Sequence, residues 1–316
     1  MNFPKISIIT PSFNQGEFLE ETILSVLNQG YPNIEYIIVD GGSTDNSIEI
    51  IKRYETRLSY WVSEKDNGMY DAIQKGFEKS SGDIMAWINS DDWYHPKSFF
   101  VVAEIFTNYK NVEWLQGLPS IIDEAGRIVA VHNFRKWSKY EFLIGEYEFI
   151  QQESCFWRRH LWDRSGGKLD ISLKYAGDFA LWLNFFSYAE LYCTNTILGG
   201  FRARSKNQFS VDKLDEYREE ANKFLKLRQH NLLPGERKHL NWFSLYKTVI
   251  CKVPIVRFVF KKMYIEKLYP PNIYFDRALQ KFLMTQRLTL GFNTLVKFTI
   301  GKFKKKIMIL FLWQSF

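Results

Sequence analysis

At 316 residues the chain is long enough to bury a full core and, at ~100–200 residues per domain, is expected to form one large domain or one with an appendage. Its formal charge of +7 is unevenly spread: from Lys247 onward 14 Lys and Arg face 2 acids, so the residues before it are net acidic. Three scattered cysteines, Cys155, Cys193 and Cys251, argue against a disulfide framework and a zinc site, and no basic-apolar leader or run of ~18 uncharged apolar residues occurs, so a cytoplasmic protein without a spanning helix is expected.

The chain opens with the strand-like run Lys5 to Thr10, followed by a polar loop, Pro11-Ser12-Phe13-Asn14-Gln15-Gly16. Leu19, Ile23, Val26 and Leu27 recur at helical spacing, and a second apolar run, Ile34 to Val39, stops at Asp40-Gly41-Gly42-Ser43. After another helical stretch, a short strand from Ser59 to Val62 precedes Glu64-Lys65-Asp66-Asn67-Gly68, and Met69, Ala72, Ile73 and Phe77 line a further helix. Ile84 to Ile88 then reads as a buried strand ending in Asn89-Ser90-Asp91-Asp92. Strands alternating with helices predict a parallel α/β sheet whose loops collect at one edge, where ligands of such sheets bind. Two acids at that edge are placed to hold Mg²⁺ or Mn²⁺, hard cations that take carboxylates and substrate phosphates. The same residues also suit a turn, with Asp92 capping the next helix. Neither the Gly-x-Gly-x-x-Gly fingerprint nor a Walker lysine loop is present, which excludes the usual dehydrogenase and P-loop readings.

Beyond Asp92 the sequence predicts a helix over Phe99 to Phe106, a hairpin turning at Asp123-Glu124-Ala125-Gly126, and a polar-apolar strand from Phe149 to Arg158, in an antiparallel half. Asp178 opens an apolar helix containing Trp182, where an Asp is by default a cap. A glycine-basic loop, Leu198 to Ser210, leads into a helix from Asp212 to Gln229. From residue 233 basic residues interleave with aromatics, as in Trp242, Phe243, Tyr246 and Lys247, and again from Lys302 to Trp313. Such a region suits interfacial helices on anionic lipid; a helical subdomain with solvated charges reads the same way. No RNA or DNA motif accompanies it, so nucleic acid is not expected as a partner.

Four segments in order, Ile-Ile-Thr-Pro-Ser-Phe-Asn at 8–14, Val-Asp-Gly-Gly-Ser-Thr-Asp at 39–45, Glu-Lys-Asp-Asn-Gly-Met-Tyr-Asp-Ala-Ile-Gln-Lys-Gly at 64–76 and Asn-Ser-Asp-Asp at 89–92, resemble the family 2 glycosyltransferases of GT-A fold. The segment at 64–76 is most similar to bacterial enzymes of O-antigen or colanic acid synthesis. The resemblance implies a Rossmann-like mixed sheet flanked by helices over residues 1–232, with a helical basic-aromatic appendage over 233–316. It implies an inverting, metal-dependent transfer of a sugar from a UDP-linked donor to a glycan or lipid-linked acceptor at the inner face of the membrane. The runner-up is a membrane-docked nucleotide-sugar-binding protein without turnover.

Residue by residue, the resemblance implies that Pro11, Ser12, Phe13 and Asn14 line the nucleoside, with Asp40 on the base and Lys75 near the diphosphate. Asn89, where many members have Asp, Ser90 and Asp91 would meet the donor, and Asp92, with Asp91, the metal. Gln152, Glu153 and Trp182 would meet the transferred sugar or the acceptor. Arg202 and Arg204 would close over the diphosphate, and Asp178 would be the general base.

Overall fold

The computed structural model of the chain describes residues 3–146, 149–206, 208–252, 257–258 and 260–286. β1 (Ile6–Ser12) passes through α1 (Leu19–Leu27) to β2 (Ile34–Asp40), and α2 (Ser47–Tyr54), β3 (Tyr60–Ser63), α3 (Met69–Lys79) and β4 (Ile84–Trp87) follow. These strands lie parallel in the order β3-β2-β1-β4, as helical crossovers require. Their side chains alternate between two cores. Ile6, Ile8, Tyr36, Ile38, Ile84 and Ala86 pack with Leu19, Ile23 and Ile50 on one face, and Ile9, Ile37, Val39, Met85 and Trp87 pack with Ala72, Ile73 and Phe77 of α3 on the other. Burial on both faces is why these strands read as almost unbroken apolar runs.

The next elements are β5 (Trp93–Tyr94), α4 (Ser98–Asn108), β6 (Trp114–Ile122), β7 (Ile128–Val131), α5 (Lys139–Leu143), β8 (Cys155–Arg158), α6 (Arg159–Arg164), α7 (Gly177–Phe185) and β9 (Leu191–Arg202). β8 lies antiparallel between β4 and β6, joining the two halves into one sheet. The expected antiparallel half is in fact mixed. β7 and β8 are antiparallel to β6, whereas β9 reaches β6 through α6 and α7 and pairs with it in parallel.

After β9 come α8 (Phe209–Asp212), α9 (Leu214–His230) and α10 (Pro234–Thr248), whose start is set by Pro234 and by the Glu236 carboxylate accepting from Leu233 N at 3.1 Å. The expectation of a wholly helical appendage after residue 232 needs correction. β10 (Asn272–Asp276) and β11 (Lys281–Met284) form a hairpin, and β10 pairs with β9, so the central sheet continues into the C-terminal region. Asp276 Oδ1 accepts from Ala278 N and Leu279 N, both at 2.9 Å, which closes the turn. Ile273 and Phe282 are buried, and Tyr109, just past the end of α4, donates to Phe282 O at 2.9 Å. Each strand buries a single side chain within a basic-aromatic stretch, too little pattern to reveal the hairpin in the sequence. The stretch Lys302 to Trp313 lies outside the described residues.

Candidate active site

β1, β2 and β4 end side by side, with Ser12 paired to Asp40 in register, and deliver three loops to one sheet edge. Ser12 is buried and its Oγ has no hydrogen-bond partner, while Phe13 beside it is 59% exposed. Asn14 adopts a positive φ of 51° and ties the first loop to the second: its N donates to Ser43 Oγ at 2.8 Å and its Oδ1 accepts from Thr44 N at 2.8 Å. Pro11, buried, ends the apolar run.

Asp40 is not the open carboxylate that a base contact needs. It is fully buried and accepts from Gly42 N, Ser43 N, Ser43 Oγ and Ser63 Oγ at 2.5–3.1 Å, so it builds its own loop. The acid with more freedom at this edge is Asp66, which sequence reasoning left without a role. It is half-buried, accepts from Gly68 N at 2.8 Å, and is held above the usual carboxylate range by burial, with the charges of Asp71 and Asp40 adding to the effect. Lys75 is likewise already engaged, with Glu64 at 3.1 Å and Asp71 at 3.5 Å, and is not an unpaired cation waiting for a diphosphate.

The Asp-Asp turn reverses the expected division of labour. Asp92, expected as the metal ligand, is 1% exposed: Oδ1 accepts from Arg202 N at 2.8 Å, Oδ2 from Asn89 Nδ2 at 3.2 Å, and the carboxyl is hydrogen-bonded to Glu153. Burial and the neighbouring Glu153 push Asp92 well above the carboxylate range, and burial raises Glu153 to about 7. Both carboxyls are therefore biased toward their protonated forms. Asp91 is the outward acid, with its side chain 22% exposed and facing Arg204 Nε at 3.4 Å. Burial raises its pKa, against the opposing pull of Arg204. Asn89 Oδ1 is buried without a partner. A partly exposed carboxylate, which a cation would share with Arg204, and an orphaned amide oxygen are hard oxygen donors, and they fit a divalent cation whose remaining ligands come from phosphates and water. Among the described residues no three His, Cys, Asp or Glu side chains form a closed metal cage. Ser90 is buried within the turn.

Arg202 is a structural clamp, which corrects its expected diphosphate role. It is wholly buried, donates to the carbonyls of Asp91, Asp123 and Glu124 at 2.6–3.1 Å, pairs with Glu21 at 2.7 Å, and lies over the rings of Phe18 and Trp93. Arg204, by contrast, reaches the site: it is braced by Gln15 Oε1 at 2.9 Å and by Phe18, and it faces Asp91. Gln152 and Glu153 sit in a single 3₁₀ turn before β8 rather than on the strand itself. Gln152 Nε2 donates to Trp87 O at 2.6 Å, leaving its Oε1 buried without a partner. The turn is pressed against β9 so closely that a Cβ on Gly199 would lie 2.1 Å from Glu153 O.

Asp178 occupies the first turn of α7, whose start is fixed from two sides. Glu220 of α9 accepts from Lys174 N, Tyr175 N and Ala176 N at 2.9–3.1 Å, and Tyr70 of α3 packs on Gly177, where a Cβ would meet its ring at 2.7 Å. Tyr70 donates to Tyr175 O at 2.9 Å and reaches Asp178 Oδ1 at 3.4 Å; Phe179 N and the Tyr217 hydroxyl also serve this carboxylate. Asp178 is a half-buried residue, and burial of its carboxyl lifts it to about 6 against those stabilising hydrogen bonds. Tyr70, Tyr217 and Glu220 were missed from sequence because only the packing of α3 and α9 on α7 brings them there. Trp182 is a core residue and not a sugar contact: it is 1% exposed, stacked on Trp87 at 5.6 Å and Trp114 at 5.1 Å.

Residues 7–165, about half of the chain, match the family model described as Glycosyl transferase family 2. This chain belongs to that family. The match contains the Asp-Asp turn and Glu153, while Asp178, Arg202 and Arg204 of this glycosyltransferase lie beyond it. An uncharacterized glycosyltransferase of Rickettsia prowazekii is 27% identical over 230 residues, 71% of this chain and 72% of the relative. TuaG of Bacillus subtilis, named for teichuronic acid biosynthesis, is 39% identical over 92 residues, 28% of this chain and 36% of TuaG. S. aureus TarS 1-349, solved in complex with UDP-GlcNAc, aligns with a TM-score of 0.60 at 16% identity, covering 84% of this chain and 82% of that one. Against the longer TarS chain the alignment spans 49% of its length. The likeness is one of fold, the GT-A α/β architecture.

Proposed function

We propose that the glycosyltransferase moves a sugar from a UDP-linked donor to a hydroxyl of a surface-glycan acceptor, with inversion at the anomeric carbon and Asp178 as general base. One observation carries the reading: at the edge where β1, β2 and β4 end, Asp91 stands partly exposed facing Arg204 at 3.4 Å, beside Asn89 Oδ1, which is buried without a partner. Ser12, Phe13 and Asn14, with Asp66 as the edge carboxyl, would receive the nucleoside, and Arg204 the diphosphate. Asp91 and Asn89 Oδ1 would hold Mg²⁺ or Mn²⁺. Such a cation, when bound, neutralises charge developing on the departing diphosphate.

Asp178 takes the acceptor hydroxyl proton as that oxygen bonds to the anomeric carbon, and the bond from that carbon to the β-phosphate oxygen breaks with its electron pair leaving on UDP. A carboxylate raised to about 6 suits this role, being ionised at neutral pH yet more basic than an ordinary Asp. Support for UDP comes from TarS, solved with UDP-GlcNAc, and support for a surface polysaccharide from TuaG, named for teichuronic acid biosynthesis. The test is thermal stabilisation by a panel of UDP-, GDP- and dTDP-sugars with and without Mn²⁺. UDP compounds should stabilise most, and more so with Mn²⁺; no stabilisation by any nucleotide overturns the reading. Specific binding without any turnover would instead favour a nucleotide-sugar-binding protein.

The acceptor is proposed to be lipid-linked, with the enzyme working from the inner face of the cell membrane. No helix among the described residues is long and apolar enough to cross a membrane. The support is a stripe on α10 and the turn after it: Trp242, Leu245 and Val249 are exposed at helical spacing, with Lys238 and Lys252 exposed at its two ends. This is the chemistry of an interfacial segment on anionic lipid. Co-sedimentation with vesicles containing phosphatidylglycerol, weakened by salt and by Leu245→Glu with Val249→Glu, is expected; equal binding to neutral vesicles would refute the electrostatic part.

A further inference from the structure

The base is surrounded by aromatic rings that the chemistry above does not use. Tyr70 and Tyr217 both hydrogen-bond the Asp178 carboxylate, and Tyr175, half-buried, precedes it by three residues. Tyr217 in turn holds Phe149 edge-on, with ring centroids 5.3 Å apart at 68°. Phe149 is 52% exposed, although it leads directly into a buried segment, Ile150 to Cys155. A single exposed apolar residue is ordinary on a protein surface. What sets this one apart is the chain of contacts from Phe149 through Tyr217 to the carboxylate that would take the acceptor proton. Tyr217 and Glu220 lie on the same face of α9, so the helix that fixes the start of α7 also braces the Phe149 ring.

We infer that Phe149, backed by Tyr217, is an acceptor subsite that stacks on the C–H face of a pyranose ring and so presents one of its hydroxyls to Asp178. A flat apolar ring separated by one tyrosine from a hydrogen-bonding carboxylate matches the two faces of a sugar: axial C–H groups lie on the ring, and the hydroxyl edge reaches toward the acid. The inference deepens the proposed reading and rests on Asp178 being the base. Its chemical class is a glycan acceptor; the nucleotide is not involved.

The test uses the full chain with saturating UDP and a panel of methyl glycosides of glucose, galactose, N-acetylglucosamine and rhamnose, followed by saturation-transfer NMR. The protein should transfer saturation to ring C–H protons of at least one glycoside. Phe149→Ala should weaken that contact roughly tenfold, as removal of an aromatic anchor does, while Phe149→Trp preserves it. UDP affinity should be the same in all three proteins, which also shows that the variants are folded. Glycoside contact that persists in Phe149→Ala, or no glycoside contact in the parent, overturns the subsite. A parent that fails to bind UDP overturns the nucleotide-sugar reading instead.

Discussion

The buried Asp92–Glu153 pair makes a prediction about stability that is independent of any substrate. In the folded chain Glu153 holds its proton to about 7, against an ordinary value of 4.5, because it is buried at 4% exposure beside Asp92. Between those two pH values the folded protein carries a proton that the unfolded chain has already lost. Stability contributed by this proton is therefore present at low pH and declines as pH rises through about 7. At ~1.4 kcal/mol per pKa unit the loss between pH 5 and pH 8 amounts to about 3 kcal/mol. Glu153→Gln keeps the shape and offers an amide N–H to Asp92, so the decline should largely vanish. Urea unfolding at pH 5, 6, 7 and 8 in the presence of EDTA reads this as the difference in slope between parent and variant, which cancels contributions from other acids. Parallel curves for the two proteins would refute a raised Glu153 pKa.

Asp178→Asn should leave the circular dichroism spectrum and UDP affinity unchanged while lowering kcat by about 10²–10⁴, and the parent's rate should climb with pH through about 6, a limb that the variant lacks. Arg202→Ala strands the Asp91, Asp123 and Glu124 carbonyls that its guanidinium serves, and should cost about 3–5 kcal/mol in urea unfolding. Arg204→Ala, by contrast, should unfold near the parent's midpoint and lose affinity for UDP. Asp91→Asn should abolish the extra thermal stabilisation that Mn²⁺ gives UDP, with UDP alone unaffected.

The strand-helix alternation and the three loops at one edge were legible because short apolar runs, helical spacing and strand-end polarity are local properties of the chain. So were the Asp-Asp turn, Ser12 to Asn14, and Asp178 at a helix start. Which way each side chain turns was not legible. Asp91 and Asp92 are adjacent in sequence, and only the Arg202 backbone and Glu153, brought in by β9 and the turn before β8, draw Asp92 inward and leave Asp91 facing out. Arg202 and Arg204 look equivalent in a basic loop. Both lie over Phe18, but Arg202 is the last residue of β9 and is buried beside Trp93, whereas Arg204, two residues past the strand end, faces Asp91. Trp182 follows Asp178 by one helical turn, which in sequence suggests a shared site; in the fold it faces the tryptophan cluster formed with Trp87, Trp114 and Trp157. The β10–β11 hairpin escaped notice because its partner, β9, is some 80 residues away in sequence, and pairings of that range leave no local signal.

The central claim, an inverting transfer with Asp178 as base, is tested most directly by following a UDP-sugar with an α-linked donor carbon by proton NMR in the presence of Mn²⁺, using water or a methyl glycoside as acceptor. The first product should carry the β configuration and UDP should appear with it, and Asp178→Asn should bind UDP as the parent does but form product at least a hundredfold more slowly. An α-configured first product, or an Asp178→Asn protein that turns over at the parental rate, would contradict that claim.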